Sequence, residues 1–136
     1  MITELANNLD ENGNPAGGVV VGTGFRIDWQ NGPLLVPLEG IAPEKCPEPG
    51  YHHTHRYCPC CTWTEKGPAM VRKEPNGAFV EDVLTACLRR LEHYNDTKFR
   101  CRENSLAITH IEEALHWLHA RTANREGRGV EGTLQV

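Results

Sequence analysis

Three arginines near the end of the chain have the type and spacing that suit the binding of an anion. The segment "ARTANREGRGVEGT" (120–133) contains Arg121, Arg125 and Arg128 among glycines. Arg121 and Arg125 share one face if the preceding helix continues through them. Guanidinium groups bind phosphate through paired hydrogen bonds, and glycines let backbone N–H groups approach the same anion. The pattern predicts a phosphate clamp; the alternative is a frayed helix end, where arginines complement the helix dipole.

A stretch rich in cysteine and histidine, "CPEPGYHHTHRYCPCCTW" (46–63), has the residue types of a zinc site. Cys58 and Cys61 have the C-x-x-C spacing that supplies two ligands of a tetrahedral zinc ion from one turn. If zinc is bound, the predicted ligands are Cys46, His55, Cys58 and Cys61, with His52 or His53 as alternatives to His55. Such a zinc would be structural, because a loop rich in proline and glycine lacks another source of order. The alternative is a reduced, metal-free loop.

The histidines and glutamates of the second predicted helix are expected to form a solvated face rather than an acid–base set. They are His110, Glu112, Glu113, His116 and His119. Charged residues opposite an apolar stripe usually face solvent. The sequence contains no H-E-x-x-H, G-x-S-x-G or Walker pattern. We therefore predict no catalytic residues and a protein that is not an enzyme.

Composition and charge argue against nucleic acid and membranes as partners of this protein. The 136 residues carry a formal net charge of -4, so nothing attracts the whole chain to nucleic acid or to an anionic membrane. No apolar run approaches the roughly 20 residues of a membrane span. The N-terminus, "MITELANNLDENGN", lacks the features of a signal peptide. We expect a cytoplasmic protein whose cysteines are thiols or metal ligands.

The first 39 residues divide into two parts. Residues 1–16 are polar and rich in turn formers, and they are predicted to form a flexible N-terminal arm. Residues 17–39 are predicted to form an antiparallel β unit, because Phe25, Ile27 and Trp29 alternate with polar residues. Asn31 and Gly32 are a strong hairpin signal. So few strands are marginally stable alone, and the unit should pack on another element.

The remaining sequence predicts an irregular Cys/His-rich insertion over 40–75 and a helical segment over 76–136. Asn76 is interpreted as the N-cap of the first helix. The second helix starts at about Arg102, and the short connection between the two predicts an antiparallel hairpin. The predicted fold class is α+β, with a small antiparallel β unit packed on a long helical hairpin. Leu88, Leu106 and Trp117 lie off the apolar stripes, and this surplus predicts burial against another copy of the chain.

The segment from "NGAFVEDV" to "RGVEGT" (76–133) resembles the helical hairpin of the phage anti-Thoeris signal-sponge family. An anti-CBASS sponge of phages has a related hairpin. The strand segment "GTGFRIDWQNGPL" is similar to the β unit of the same family. The Cys/His insertion does not match the family pattern.

The resemblance implies a homo-oligomer, a dimer or a larger assembly such as a hexamer, that binds a nucleotide second messenger between chains. Such proteins capture glycocyclic ADP-ribose, and some hold cyclic di- or trinucleotides. The family pocket uses an aromatic residue, an asparagine and two arginines, which match Tyr94, Asn104, Arg121 and Arg125. With the stacking and clamp residues added, the predicted ligand-binding set is Trp29, Tyr94, Asn104, Arg121, Arg125, Arg128, Gly129 and Thr133.

Helix length provides a separate argument for a pocket shared between chains. Asn104 and Arg121 are seventeen positions apart (121 − 104), or about 25 Å along one helix. One small nucleotide does not span that distance. If both residues touch one ligand, they come from different chains or the tail folds back, and an antiparallel dimer would bring Asn104 of one chain to Arg121 of the other.

Together with the resemblance, this predicts the function of a phage anti-defence sponge that sequesters a cyclic nucleotide immune signal, without cleaving it, in the bacterial host cytosol. It would inhibit Thoeris signalling and, with a cyclic oligonucleotide, CBASS signalling. The alternative is a zinc-containing adaptor that binds a protein or nucleic acid.

Overall fold

The computed structural model describes residues 1–37, 63–64 and 67–136. The chain forms two compact units. One unit combines Met1–Gly32 with Pro75–Val136, and the other is Pro33–Glu74. The predicted zinc ligands Cys46, His55, Cys58 and Cys61 lie outside the described residues.

A three-stranded antiparallel sheet forms the N-terminal part of the first unit. Its strands are β1 (Ile2–Leu9), β2 (Pro15–Gly22) and β3 (Phe25–Asn31), in the order β1-β2-β3. The structure therefore has a strand where the sequence predicts a flexible arm over 1–16. The sequence feature that could have predicted this strand is the turn at residues 10–14, not an alternation of apolar residues. The Asp10 carboxylate accepts hydrogen bonds from the backbone N–H groups of Asn12 and Asn14, both at 2.8 Å, and this closes the β1–β2 hairpin.

The second hairpin of the sheet turns earlier than the sequence predicts. Gly22 pairs with Phe25, so the β2–β3 turn is at residues 23–24. The predicted hairpin turn at Asn31 and Gly32 is wrong, because β3 ends at Asn31 and, among the described residues, no later strand pairs antiparallel with β3. The next strand, Leu35–Pro37, belongs to the other unit.

The described part of the second unit consists of short antiparallel strand pairs. Strand β4 (Leu35–Pro37) pairs with β7 (Met70–Arg72), and β5 (Trp63–Thr64) pairs with β6 (Gly67–Pro68). Leu34, beside β4, is buried. Strand β7 lies within the range 40–75 that the sequence predicts to be an irregular insertion, so this part of the range has regular structure.

Two antiparallel helices complete the first unit, and the predicted α+β class with a helical hairpin is confirmed. Helix α1 spans Val80–Asn95 and helix α2 spans Arg102–Gly127. The N-cap of α1 is Phe79 rather than Asn76, and it makes no side-chain capping bond. The N-cap of α2 is Cys101, whose Sγ accepts a hydrogen bond from the Asn104 N–H at 3.4 Å.

Very few side chains of the first unit are fully buried. Among its residues, the buried hydrophobic side chains are Leu88 and Leu115, at 7% and 8% exposure. The prediction that Leu88 lies outside the packed face is therefore wrong, whereas Trp117 and Leu106 remain exposed at 73% and 47%. In the part of the chain described, no helix combines the length and apolar composition needed to cross a bilayer.

Candidate ligand-binding site

Tyr94 and Asn104 lie at the end of the hairpin where the two helices are connected. Tyr94 is in the last turn of α1 and Asn104 is in the first turn of α2. The Asn104 side-chain amide donates to the Phe99 carbonyl at 3.3 Å, which fixes it against the connection. Ser105 accepts a hydrogen bond from the Asn95 amide at 3.0 Å, so the helices are tied together here. An aromatic ring and a carboxamide are therefore held at one end of the hairpin.

The guanidinium of Arg90 lies over the ring of Tyr94, a contact that was not predicted from the sequence. The Arg90 guanidinium carbon lies 4.6 Å from the centroid of the Tyr94 ring, one helical turn before it. A cation over an aromatic face is attracted by the ring quadrupole. The i,i+4 spacing of Arg90 and Tyr94 was the signal available in the sequence. A base that stacks on Tyr94 must use the other face of the ring or displace Arg90.

The three predicted arginines lie at the opposite end of α2. Because α2 is continuous from Arg102 to Gly127, Asn104 and Arg121 are separated by about 25 Å along one helix. The structure thus keeps the two predicted halves of the site apart within one chain. Asn104 and Tyr94 belong to one half, and Arg121 belongs to the other.

Arg121 and Arg125 share a helix face but differ in their surroundings. Arg121 is exposed, and its guanidinium makes no hydrogen bond or ion pair within the described residues. The Arg125 side chain is only 15% exposed and lies against the segment that follows the helix. Its Nε donates to the Glu131 carboxylate at 2.9 Å. Only one of the two arginines therefore has a guanidinium that is open to solvent.

The C-terminal tail (residues 128–136) folds back on the end of α2. Arg128 is the C-cap and donates to the Asn124 side chain at 3.0 Å. Gly129 has a φ of 70°, a left-handed conformation that glycine adopts without strain and that commonly ends a helix. The Thr133 hydroxyl donates to the Val130 carbonyl at 2.6 Å, which closes a tight turn. Arg128, Gly129 and Thr133 thus all belong to the turns that follow α2, and their role in ligand binding stays a prediction.

The indole of Trp29 is carried by the strand that joins the sheet to the hairpin. Trp29 forms a parallel bridge with Ala78, whose N–H donates to the Asp28 carbonyl at 2.8 Å. Gly77 permits this approach, since a Cβ there would lie 2.5 Å from the backbone carbon of Trp29. The hydrogen bond between Asn95 and Ser105 shows that these two residues are level with each other on the antiparallel helices. The start of α1 is fifteen residues before Asn95, so it is level with the residue fifteen after Ser105, which is about residue 120 of α2. Trp29 therefore belongs to the same end of the unit as Arg121.

Comparison with known proteins shows what the helical hairpin is similar to. Residues 67–123 match the family model described as "Acb2/Tad1, hairpin domain". Over 58 residues the chain is 53% identical to Thoeris anti-defense 1 of Bacillus phage SBSphiJ7. The hairpin is therefore similar to the hairpin domain of the Acb2/Tad1 family. The predicted resemblance to the anti-Thoeris sponge family is thereby confirmed over this part of the chain.

The similarity to this relative covers part of each protein. The aligned segment is 43% of this chain and 41% of Thoeris anti-defense 1. The range that matches the Acb2/Tad1 family model, residues 67–123, contains Tyr94, Asn104 and Arg121. The other predicted ligand residues lie outside its range: Trp29, Arg125, Arg128, Gly129 and Thr133.

Proposed function

We propose that this protein is a phage anti-defence protein that binds a nucleotide immune signal without cleaving it. The observation that carries the proposal is the match of residues 67–123 to the Acb2/Tad1 hairpin, in the segment that contains Tyr94, Asn104 and Arg121. The 53% identity to Thoeris anti-defense 1 supports interference with Thoeris signalling. The signal would be glycocyclic ADP-ribose or a cyclic di- or trinucleotide, bound in the bacterial host cytosol.

The ligand would lie between two chains of a homo-oligomer. One chain provides Tyr94 and Asn104, and the other provides Arg121, because these residues are about 25 Å apart within one chain. The small core of the first unit supports assembly. Trp117 is 73% exposed, and burying such an indole against a second copy would stabilise an oligomer. Light scattering with bound ligand tests this arrangement, and a ligand-loaded monomer would exclude it.

Each proposed contact uses the chemistry of the side chain concerned. The solvent-facing guanidinium of Arg121 would bind a phosphate through paired hydrogen bonds. Tyr94 of one chain, together with Trp29 of the chain that provides Arg121, would stack on a base, which is favourable for every base because all have a π face. The side chain of Asn104 would hydrogen-bond the base or ribose. Arg128, Gly129 and Thr133 would form the tail beside the phosphate.

Release of intact signal is the experiment that separates sequestration from cleavage. The protein is incubated with glycocyclic ADP-ribose, then heated, and the supernatant is assayed for the nucleotide by chromatography. Capture before heating and recovery of unchanged nucleotide afterwards is the expected result. Recovery of a hydrolysis product would show an enzyme. Failure to capture glycocyclic ADP-ribose and every cyclic di- and trinucleotide tested would leave the adaptor function instead.

A further inference from the structure

Arg125 has nearly all of its hydrogen-bonding capacity engaged within its own chain. In addition to the Glu131 carboxylate, the guanidinium donates to three backbone carbonyls of the tail. Nη1 donates to Gln135 at 2.8 Å, and Nη2 donates to Val130 at 2.9 Å and to Thr133 at 3.0 Å. A guanidinium has five N–H groups, so four of them are occupied by these bonds.

These bonds set the shape of the tail. The chain reverses between Gly129, with a φ of 70°, and Gly132, with a φ of 77°. Arg125 ties the carbonyls on both sides of Gly132 to a single side chain. Among the described residues, the backbone N–H groups of Glu131 and Gly132 donate to no backbone carbonyl. Two adjacent N–H groups left free in a turn are suited to an anion.

A direct phosphate contact by Arg125 would be costly. The guanidinium would have to give up bonds in a region where its side chain is only 15% exposed. The Glu131 carboxylate, 2.9 Å from Nε, would also repel the incoming phosphate. Arg121, one turn earlier on the same face, has neither restriction. The two arginines therefore have different chemical roles.

We infer that Arg125 is a positioning residue, which with Glu131 holds the tail in the conformation that receives the ligand phosphate beside Arg121. This inference rests on the proposed function for its ligand. It assigns a role to Glu131, an acidic residue that would weaken binding if it faced the phosphate directly. Removal of the Glu131 charge therefore has opposite consequences in the two arrangements.

The sign of the Glu131→Gln effect is the first test. If Arg125 positions the tail, Glu131→Gln and Arg125→Ala should each weaken capture of glycocyclic ADP-ribose by about tenfold. Because both residues belong to one hydrogen-bond network, the affinity of the double variant should be little lower than that of the single variant that binds less tightly. Glu126→Gln is the matched control, because Glu126 is exposed on the last turn of α2 and should leave capture unchanged. Unchanged or tighter capture by Glu131→Gln overturns the inference.

The salt dependence of capture provides a readout that loss of stability alone would not change. Arg121→Ala should reduce the slope of affinity against salt concentration, because it removes a charge from the phosphate. Arg125→Lys should weaken capture without changing that slope, since the amine cannot reach four acceptors at once. A reduced slope in Arg125→Ala, matching that of Arg121→Ala, would indicate a direct phosphate contact and would overturn the inference.

Hydrogen exchange without ligand separates this inference from the proposed function. The N–H groups of Val130 and Thr133 donate to the carbonyls of Arg125 and Val130, at 3.0 and 3.2 Å. Their exchange should accelerate in Arg125→Lys and in Glu131→Gln, and should not change in Glu126→Gln. Unaltered exchange in the first two variants refutes the positioning role alone. A parent protein that captures none of the nucleotides refutes the proposed function, whatever the exchange shows.

Discussion

The side-chain amide of Asn76 forms a two-bond pair with the backbone of Asn31. Its Oδ1 accepts the Asn31 N–H at 2.8 Å, and its Nδ2 donates to the Asn31 carbonyl at 3.0 Å. The backbone N–H of Asn76 also donates to the Gln30 side chain at 2.9 Å. These bonds join the end of β3 to the residues before α1, although the residues are 45 positions apart in sequence.

Replacement of Asn76 by alanine should loosen this junction. Two hydrogen bonds are lost at an exposed position, so we expect the free energy of unfolding to fall by about 1 kcal/mol. Urea unfolding followed by circular dichroism measures the change. Asn8→Ala is the control, because Asn8 is exposed on β1 and its side chain makes no hydrogen bond among the described residues. Equal stability of Asn76→Ala and Asn8→Ala would show that the pair contributes nothing.

Replacement of Gly77 by alanine should destabilise the protein more than replacement of Asn76. The added Cβ would meet backbone atoms of Trp29 and Gln30 at 2.5 and 2.6 Å, and backbone yields less easily than a flexible side chain. We expect a loss of about 1–3 kcal/mol and a change in Trp29 fluorescence. Gly127→Ala is the matched control. Nothing lies within 4 Å of its Cβ, so we expect about 0.5–1 kcal/mol of stabilisation from helix propensity.

The β1–β2 hairpin should weaken in acid because of Asp10. Hydrogen bonds from the Asn14 side chain, and then from backbone N–H groups, hold the pKa of Asp10 below the ordinary value of an aspartate. A lowered folded-state pKa means that this stabilisation is complete above about pH 3.8 and is lost as the pH falls through the folded pKa. A pH titration of the Gly13 and Asn14 amide signals by NMR measures this. Asp10→Asn should abolish the transition, and Glu11→Gln should leave it in place.

Loss of Arg121 should weaken nucleotide capture without unfolding the protein. Arg121→Ala removes the guanidinium that we propose donates hydrogen bonds to the phosphate, and we expect affinity to fall about tenfold to a hundredfold with an unchanged melting temperature. Calorimetric titration at two salt concentrations provides the measurement. Arg26→Ala, which removes an exposed arginine on β3, serves as the control. Tyr94→Ala should also weaken capture, but with an unchanged salt slope, and Tyr94→Phe should retain most of it.

Metal analysis tests the prediction of zinc in the segment that contains Cys46, His55, Cys58 and Cys61. Protein purified without chelators should contain one zinc per chain. Removal of zinc should lower the melting temperature and leave nucleotide capture by the hairpin in place, because a structural zinc takes no part in binding. A Cys58→Ser and Cys61→Ser variant should lose the metal. Purified protein without stoichiometric zinc would support the metal-free loop.

Local periodicity was enough to predict the hairpin. Apolar residues at steps of three and four specify one face of a helix regardless of what covers it, so both helices and the start of α2 follow from the sequence. The family resemblance likewise depends on a contiguous segment. The separation of Asn104 from Arg121 also follows from the sequence, because the length of a helix depends only on its residue count.

The tertiary structure decided how individual polar side chains are used. Asn76 is of a residue type that is common at N-caps, yet its side-chain amide binds the backbone of Asn31. Strand β1 forms because β2 is available to pair with it. Arg121 and Arg125 are the same residue type, four positions apart on one helix. Only the return of the tail, which places the Glu131 carboxylate and three carbonyls around Arg125, distinguishes them. Hydrogen-bond partners brought together by chain reversal are not encoded in periodicity, and for that reason the fold rather than the sequence sets the roles of these residues.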